Sequence, residues 1–312
     1  MFCCLNPGKK YRIPLAGLLL AAALGTPALA AKPLGDGIVK VQRGDSLTLI
    51  GKSYRVSVSQ LVRWNKLKTT VLQPGQWLQV VAPLNFAVKL SVKQVLGVKV
   101  MAVHVNLAHP EVSVRPLLPA GLGKGEVLER LSWRSKLVAA INGGYFHPRT
   151  FWPAGDLVVD GEQLTQGHIR TALAITPDKR AKVLSGRGPL PWQGYQTVIA
   201  NGPYILRGGR LVVVPRAEGY SDPAIWGRAR RSAVGIVNQR YLIFVSTPES
   251  ITLFELGKIM TKLGAREVLV LDGGSSTGMI WRNKTLVRPA RHLAYGIGIF
   301  LGAKPPKAKA DL

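Results

Sequence analysis

Residues 268–276 read Val268-Leu269-Val270-Leu271-Asp272-Gly273-Gly274-Ser275-Ser276, an apolar run that stops abruptly on a carboxylate and two glycines. Four apolar residues bounded by glycine have the length and composition of a buried strand, which puts the polar corner at its carboxyl end. The pattern occurs twice: residues 137–141 are also apolar and run straight into Asn142-Gly143-Gly144-Tyr145-Phe146. Glycine allows close approach of a ligand to the backbone, so polar side chains beside it at strand ends can form a site. Taken singly, each corner reads more readily as a tight turn in which Asn142 or Asp272 bonds its own backbone.

Outward from the corners, the chain is rich in strands. Val103, Val105 and Leu107 alternate with His104 and Asn106, and Val112, Val114 and Leu117 continue the pattern after the His109-Pro110 turn. Further apolar runs occupy residues 172–175, 233–237, 241–245 and 295–301. The clearest helix starts at Thr252, which forms a capping box with Glu255; Leu253, Leu256, Met260 and Leu263 share a face, and Gly264 ends it. Residues 98–303 are therefore expected to form a strand-rich mixed α+β domain.

A smaller unit precedes it over residues 37–82. Ile38, Val39 and Val41 make a short strand, Gly44-Asp45-Ser46-Leu47 turns into a helix, and Ser57 with Gln60 boxes the start of a second helix that Asn65 ends. Pro74-Gly75 then turns the chain into a second strand bearing Trp77, Leu78 and Val80. The expected order is βααβ. Residues 83–97 carry no helical period and are expected to be a linker, and residues 304–312 a basic tail.

The first thirty residues are of another kind. Lys9, Lys10 and Arg12 precede an apolar stretch over residues 13–24, and Ala28-Leu29-Ala30 is a small-x-small cleavage pattern. The stretch is shorter than the ~20 residues a membrane span needs. The expectation is a signal peptide over residues 1–30, a mature chain starting at Ala31, no integral membrane segment after cleavage, and a periplasmic or extracellular, cell-wall-associated location. Cys3 and Cys4 leave with the leader, which excludes cysteine peptidase and cysteine transpeptidase chemistry. Taking those three cations from the 42 Lys and Arg leaves 39 against 16 acidic side chains, a formal charge of +23. Such a field attracts polyanions, and outside the cell these are phosphate-bearing polymers. No nucleic-acid motif is present, and generic solubilising charge accounts for the excess equally well.

Residues 37–82 resemble the LysM module through Gly44-Asp45-Ser46-Leu47, Leu61, Asn65 and Leu72-Gln73-Pro74-Gly75-Gln76-Trp77-Leu78. The resemblance implies binding of N-acetylglucosamine-containing glycan, peptidoglycan included, between Gly44, Asp45, Ser46 on one loop and Leu72, Pro74, Gly75 on the other. The two glycine corners, with Arg231-Ser232-Ala233-Val234-Gly235-Ile236 and Asn201-Gly202-Pro203, resemble the phosphodiester glycosidase family over nearly the whole larger domain. That implies glycosidic cleavage of a sugar 1-phosphodiester and a pocket including Asn142, Gly143, Gly144, Arg231, Asp272, Gly273, Gly274 and Ser275. Tyr145, His147 and Asn201 join the expected substrate-binding set. Tyr145 stands where the family often has Phe, and Ser275 where it often has a third glycine.

The residues support such chemistry. Ordinary glycosidases use two carboxyl groups, one of them to protonate a poor alkoxide leaving group. Here the leaving group would be a phosphate with a second pKa of about 6, which departs with less protonation, so one carboxylate could be enough and a second acid or base is left open. Asp272 is the best-placed acid; Arg231 offers a guanidinium fork to phosphate oxygens, although it sits in a run with Arg228 and Arg230. Asp156 and Asp222 are second-tier acids that read better as turn residues, while His104, His109, His168 and His292 occupy strand or loop positions. No histidine spacing suits a metal, so no cofactor is expected, with a divalent cation at Asp272 left open. Two alternatives remain: a glycan- or phosphoglycan-binding protein without turnover, and a peptidoglycan hydrolase suggested only by the company LysM modules keep.

Overall fold

The computed structural model describes residues 38–80, 84–133, 137–186 and 188–302. The leader expected at 1–30 and the tail at 304–312 lie outside them. No described helix is long and apolar enough to cross a membrane.

The N-terminal unit comprises β1 (Ile38–Lys40), α1 (Leu47–Tyr54), α2 (Val58–Asn65) and β2 (Trp77–Gln79). The two strands pair antiparallel with Val39 opposite Leu78. Ser46 caps α1 by accepting the Leu49 amide, and the Ser57–Gln60 box starts α2, each satisfying donors that helix geometry leaves unpaired. Val41, Leu47, Ile50, Leu61, Leu78 and Val80 fill the centre. Asn65 does more than end α2. Its side chain donates to Leu61 O and Gln79 O, both at 2.8 Å, and accepts the Gln79 amide at 2.6 Å, clamping the second helix to β2.

The larger unit begins with β3 (Val88–Val95), β4 (Val98–Asn106) and β5 (Val112–Leu117), followed by α3 (Leu128–Trp133) and β6 (Ala139–Asn142). Next come β7 (Leu157–Val159), β8 (Glu162–Thr165), β9 (Thr171–Ile175), β10 (Ala181–Ser185), β11 (Thr197–Ala200), β12 (Tyr204–Arg207) and β13 (Arg210–Leu211). The chain continues through α4 (Pro223–Trp226), β14 (Ser232–Asn238), β15 (Tyr241–Ser246), α5 (Leu253–Lys262) and β16 (Glu267–Val270), and finishes with β17 (Met279–Trp281), β18 (Lys284–Val287) and β19 (Gly296–Leu301).

The segment expected to be a linker is largely β3, which pairs with β4 from Val88 opposite Val105 to Val95 opposite Val98. The two strands join through Leu96 and Gly97 at φ 52° and 80°, the left-handed pair that a two-residue hairpin turn needs. Val88, Leu90 and Val92 do alternate with polar residues, so the strand is visible at period two although not at the helical period.

Three antiparallel sheets result, ordered β13-β12-β16-β14-β15-β4-β3, β18-β17-β6-β19-β5 and β10-β9-β11-β7-β8. One face of the seven-stranded sheet joins the inner faces of the other two in the main core, with Phe244, Ile141 and Leu173 among its members. Its other face is covered by α5 through Leu253, Leu256, Ile259 and Met260. The glycine corners follow β6 and β16, strands of two different sheets.

Candidate active site

Asn142 joins the two corners. Its amide donates to Asp272 O at 2.8 Å and Gly143 O at 3.0 Å, and its oxygen accepts Ser232 Oγ at 2.7 Å and the Gly278 amide at 3.0 Å. The backbone adds Asp272 N to Gly143 O at 3.1 Å. A fully buried Asn with both donors and both lone pairs used has nothing left for a ligand. Asn142 therefore builds the site from behind; Asn201 is also fully buried, with one bond accepted from Tyr145 N and one donated to Val270 O. Gly143 and Gly144 are glycines because the Tyr295 side chain packs against them: a Cβ would come 2.4 Å from its ring at Gly143 and 2.7 Å from its hydroxyl at Gly144.

Asp272 is half-buried, and Gly273 N donates to its Oδ1 at 2.9 Å. Burial pushes its carboxyl up to about 6, against the opposing pull of the Ser276 hydroxyl, the Gly273 amide and the Arg291 charge. Arg231 is buried to 2% exposure. Its backbone amide donates to Thr247 Oγ1 at 3.1 Å, its Nε to Ile251 O at 3.1 Å, and one Nη to Gly227 O. The other Nη bonds nothing among the described residues and lies 3.5 Å from where a Cβ of Gly273 would be. No described carboxylate pairs with Arg231, and burial lowers its pKa. Its neighbours are spent elsewhere: Arg230 braces Gly274 O and Arg288 O, and exposed Arg228 pairs with Glu255. Family position singled out Arg231 in the run, and burial now gives the physical reason.

Tyr145 lies between these charges. Burial raises its pKa, and the charge of Asp272 and the nearby Tyr220 and Asp222 add to the shift while Arg231 opposes it. Its ring is 5.8 Å from that of Tyr220, and neither hydroxyl has a hydrogen-bond partner among the described residues. Gly273, Gly274 and Ser275 form the outer lip, with Gly274 at φ 58° and Ser275 exposed. His147 sits on the exposed rim, 6.5 Å from the His168 ring, rather than against the corners.

The sequence missed Glu218. It ends a short 3-10 turn and accepts the Tyr204 amide on both oxygens at 3.1 Å, with Thr171 Oγ1 at 3.4 Å. Burial raises it to about 7 against the opposing Arg207 charge and Thr171 hydroxyl, and its charge is felt by Tyr220. A lone glutamate before Gly219-Tyr220, in a chain with 16 acids, was the available signal. The second-tier acids are occupied: Asp156 accepts Trp192 Nε1 at 2.7 Å and Gly167 N at 2.6 Å, and Asp222 caps α4. Among the described residues no three His, Cys, Asp or Glu side chains gather as a metal-holding group. A cavity of about 790 Å³ between β5 and the turn at Thr176 lies away from the corners. The corners are the candidate site instead, because the buried cation, the raised carboxyl and the unpartnered phenols lie together there.

In the smaller unit, Gly44 and Gly75 take φ 91° and 88°, and Gly75 N donates to Val41 O at 2.8 Å, which brings the two expected loops to one end. Asp45 accepts the Gln42 amide and Ser46 that of Leu49, so both are engaged in turns. Leu72 is partly buried against the small core, whereas Pro74 is exposed. Trp77 is 65% exposed on β2, with Lys40 Nζ 6.0 Å from its ring centroid.

The phosphodiester glycosidase family profile matches residues 135–300, more than half of the chain. The protein belongs to that family. The LysM profile matches residues 39–81. Among solved structures, the catalytic domain of zebrafish N-acetylglucosamine-1-phosphodiester alpha-N-acetylglucosaminidase, auto-inhibited by its pro-peptide, is similar with TM-score 0.55 and 18% identity, over 70% of this chain and 82% of that one. A Synechocystis protein is similar with TM-score 0.54 and 18% identity over 72% of this chain, which covers 65% of it, just under two thirds. At such identities the likeness establishes the fold of this phosphodiester glycosidase family member. The strands β3 to β5 precede the family match yet complete two of its sheets, since β4 pairs with β15 and β5 with β19.

Proposed function

We propose that the protein is an exported cell-envelope hydrolase that cleaves the glycosidic bond of a sugar 1-phosphodiester, with N-acetylglucosamine as the sugar, while its LysM module holds it on N-acetylglucosamine-containing glycan. The observation that carries this reading is Arg231, a buried cation without a carboxylate partner among the described residues, beside a carboxyl raised by burial. An uncompensated buried charge is costly, and a bound phosphate would compensate it. In the reaction, water adds to the anomeric carbon and gives its proton to Asp272. The bond from that carbon to the bridging oxygen breaks, and its electron pair leaves on the phosphate, whose negative charge Arg231 holds. Near neutral pH Asp272 is mostly ionised and can accept the proton. Family membership and the module support the reading. One weak glycan site suffices as a tether because it raises local substrate concentration.

The test is hydrolysis of an α-N-acetylglucosamine 1-phosphodiester by the purified mature chain. Release of free N-acetylglucosamine together with a phosphomonoester is expected. Binding without turnover would assign the protein to the non-catalytic class.

A further inference from the structure

Arg291 is a second cation at the same mouth, and the reaction above leaves it unused. Its guanidinium lies 4.5 Å over the Phe146 ring, and Phe146 stacks on Phe151 at 5.5 Å and 17°. An arginine on an aromatic shelf keeps its fork edges open to an anion. Among the described residues Arg291 makes no hydrogen bond and no ion pair; its charge reaches Asp272, but Asp272 Oδ1 is already met by Gly273 N at 2.9 Å. The loop that carries it is pinned on both sides. Ala290 N donates to Ser275 O at 2.7 Å, and Leu293 exchanges backbone bonds with Glu126 at 2.9 and 3.0 Å. The cation is therefore fixed and partly exposed beside the second corner, while buried Arg231 sits behind Gly273.

One guanidinium is enough for the charge of one phosphodiester. We propose that Arg291 on its Phe146 shelf forms a second anion subsite, so that the preferred substrate carries a further phosphate beyond the scissile one, as a repeating sugar-phosphate or polyol-phosphate chain does. This rests on the hydrolase reading and narrows its substrate class to phosphate-bearing polymers over simple diesters. The strong positive charge of the whole chain acts in the same direction at long range, but it is screened by salt, whereas a shelved arginine gives a local and directional contact.

The experiment compares the hydroxypropyl and phosphopropyl phosphodiesters of α-N-acetylglucosamine with the full mature protein. The phosphopropyl compound is expected to have kcat/KM higher by about tenfold, the size of one hydrogen-bonded charge contact, and Arg291→Gln is expected to collapse the ratio toward one. An equal loss on both substrates would mean that Arg291 serves the scissile phosphate, and a ratio untouched by the substitution would mean that the preference lies elsewhere; either overturns the subsite. If neither compound is hydrolysed, the hydrolase reading fails while the subsite is still tested by calorimetry with pyrophosphate and orthophosphate. Tighter pyrophosphate binding that Arg291→Gln abolishes supports it, and equal binding of the two ions by the wild type refutes it.

Discussion

The side-chain oxygen of Asn201 accepts the backbone amide of Tyr145 at 2.9 Å, across 56 residues of sequence. The Asn201 amide donates to Val270 O at 2.6 Å, so one side chain holds the first corner against the strand that leads to the second. Asn201→Ala would leave a buried donor and a buried acceptor unpaired, a loss of about 1–3 kcal/mol for each group so stranded. Chemical denaturation should find the midpoint lowered, and turnover should fall further than stability because Tyr145 is released. Unchanged stability would show that water replaces the side chain.

Asp272→Asn is expected to lower turnover by about 10²–10⁴-fold while ligand binding persists, since the amide keeps the shape but accepts no proton. Arg231→Lys should also lose activity: the ammonium keeps the charge, but the fork held between Gly227 O and Gly273 is gone. Full rates in both variants would refute the assignment of roles without touching family membership.

The pH profile follows from the Asp272 carboxyl. With the group at about 6 and required as a base, kcat/KM should rise with pH up to roughly that value and then level. Arg291 holds the carboxyl down, so Arg291→Gln should move the acid limb to higher pH. A limb that stays in place would mean that another group controls it.

Glu218 gives a stability prediction with a definite sign. Its carboxyl is raised from 4.5 to about 7, so the folded state binds the proton more tightly than the unfolded one, and stability falls as pH rises between those two values. Glu218→Gln keeps an acceptor for the Tyr204 amide but has no proton to lose. Its melting temperature should match the wild type below about pH 4.5 and exceed it at pH 8, by about 2–4 °C for each kcal/mol removed. A constant offset at all pH values would contradict the linkage.

Two LysM-unit substitutions should separate folding from binding. Asn65→Ala removes three hydrogen bonds and should loosen the unit, whereas Trp77→Ala removes a mostly exposed ring and should change stability by no more than about 0.5 kcal/mol. Sedimentation with insoluble chitin reads the second effect: Trp77→Ala should bind less while staying folded. Equal binding would place the glycan elsewhere on the unit.

Features with a local cause were legible in the sequence. The capping boxes at Ser57 and Thr252 and the runs entering both corners depend on neighbours within a few residues, and they appear in the structure as read. β3 is legible at period two, where Val88, Leu90 and Val92 alternate with polar residues, and has no helical period to mark it. Glu218 was not legible, because its raised pKa comes from burial, which only tertiary packing against Thr171 and Tyr204 produces. Asn142 was placed at the site but its role was not, since only the fold reveals that Ser232 and Gly278 use up its oxygen.

The hairpin that replaced the expected linker sets a working distance. Only nine residue steps separate Gln79, where β2 ends, from Val88, where β3 starts, a span of at most about 30 Å even when stretched. A LysM unit seated on glycan would keep the larger domain on a leash no longer than a small domain is wide. The anchor would then choose the neighbourhood and the site only the bond: linkages out of that reach would go uncut however well they fit, and lengthening the leash by insertion at residues 81–83 should widen the patrol without altering the chemistry.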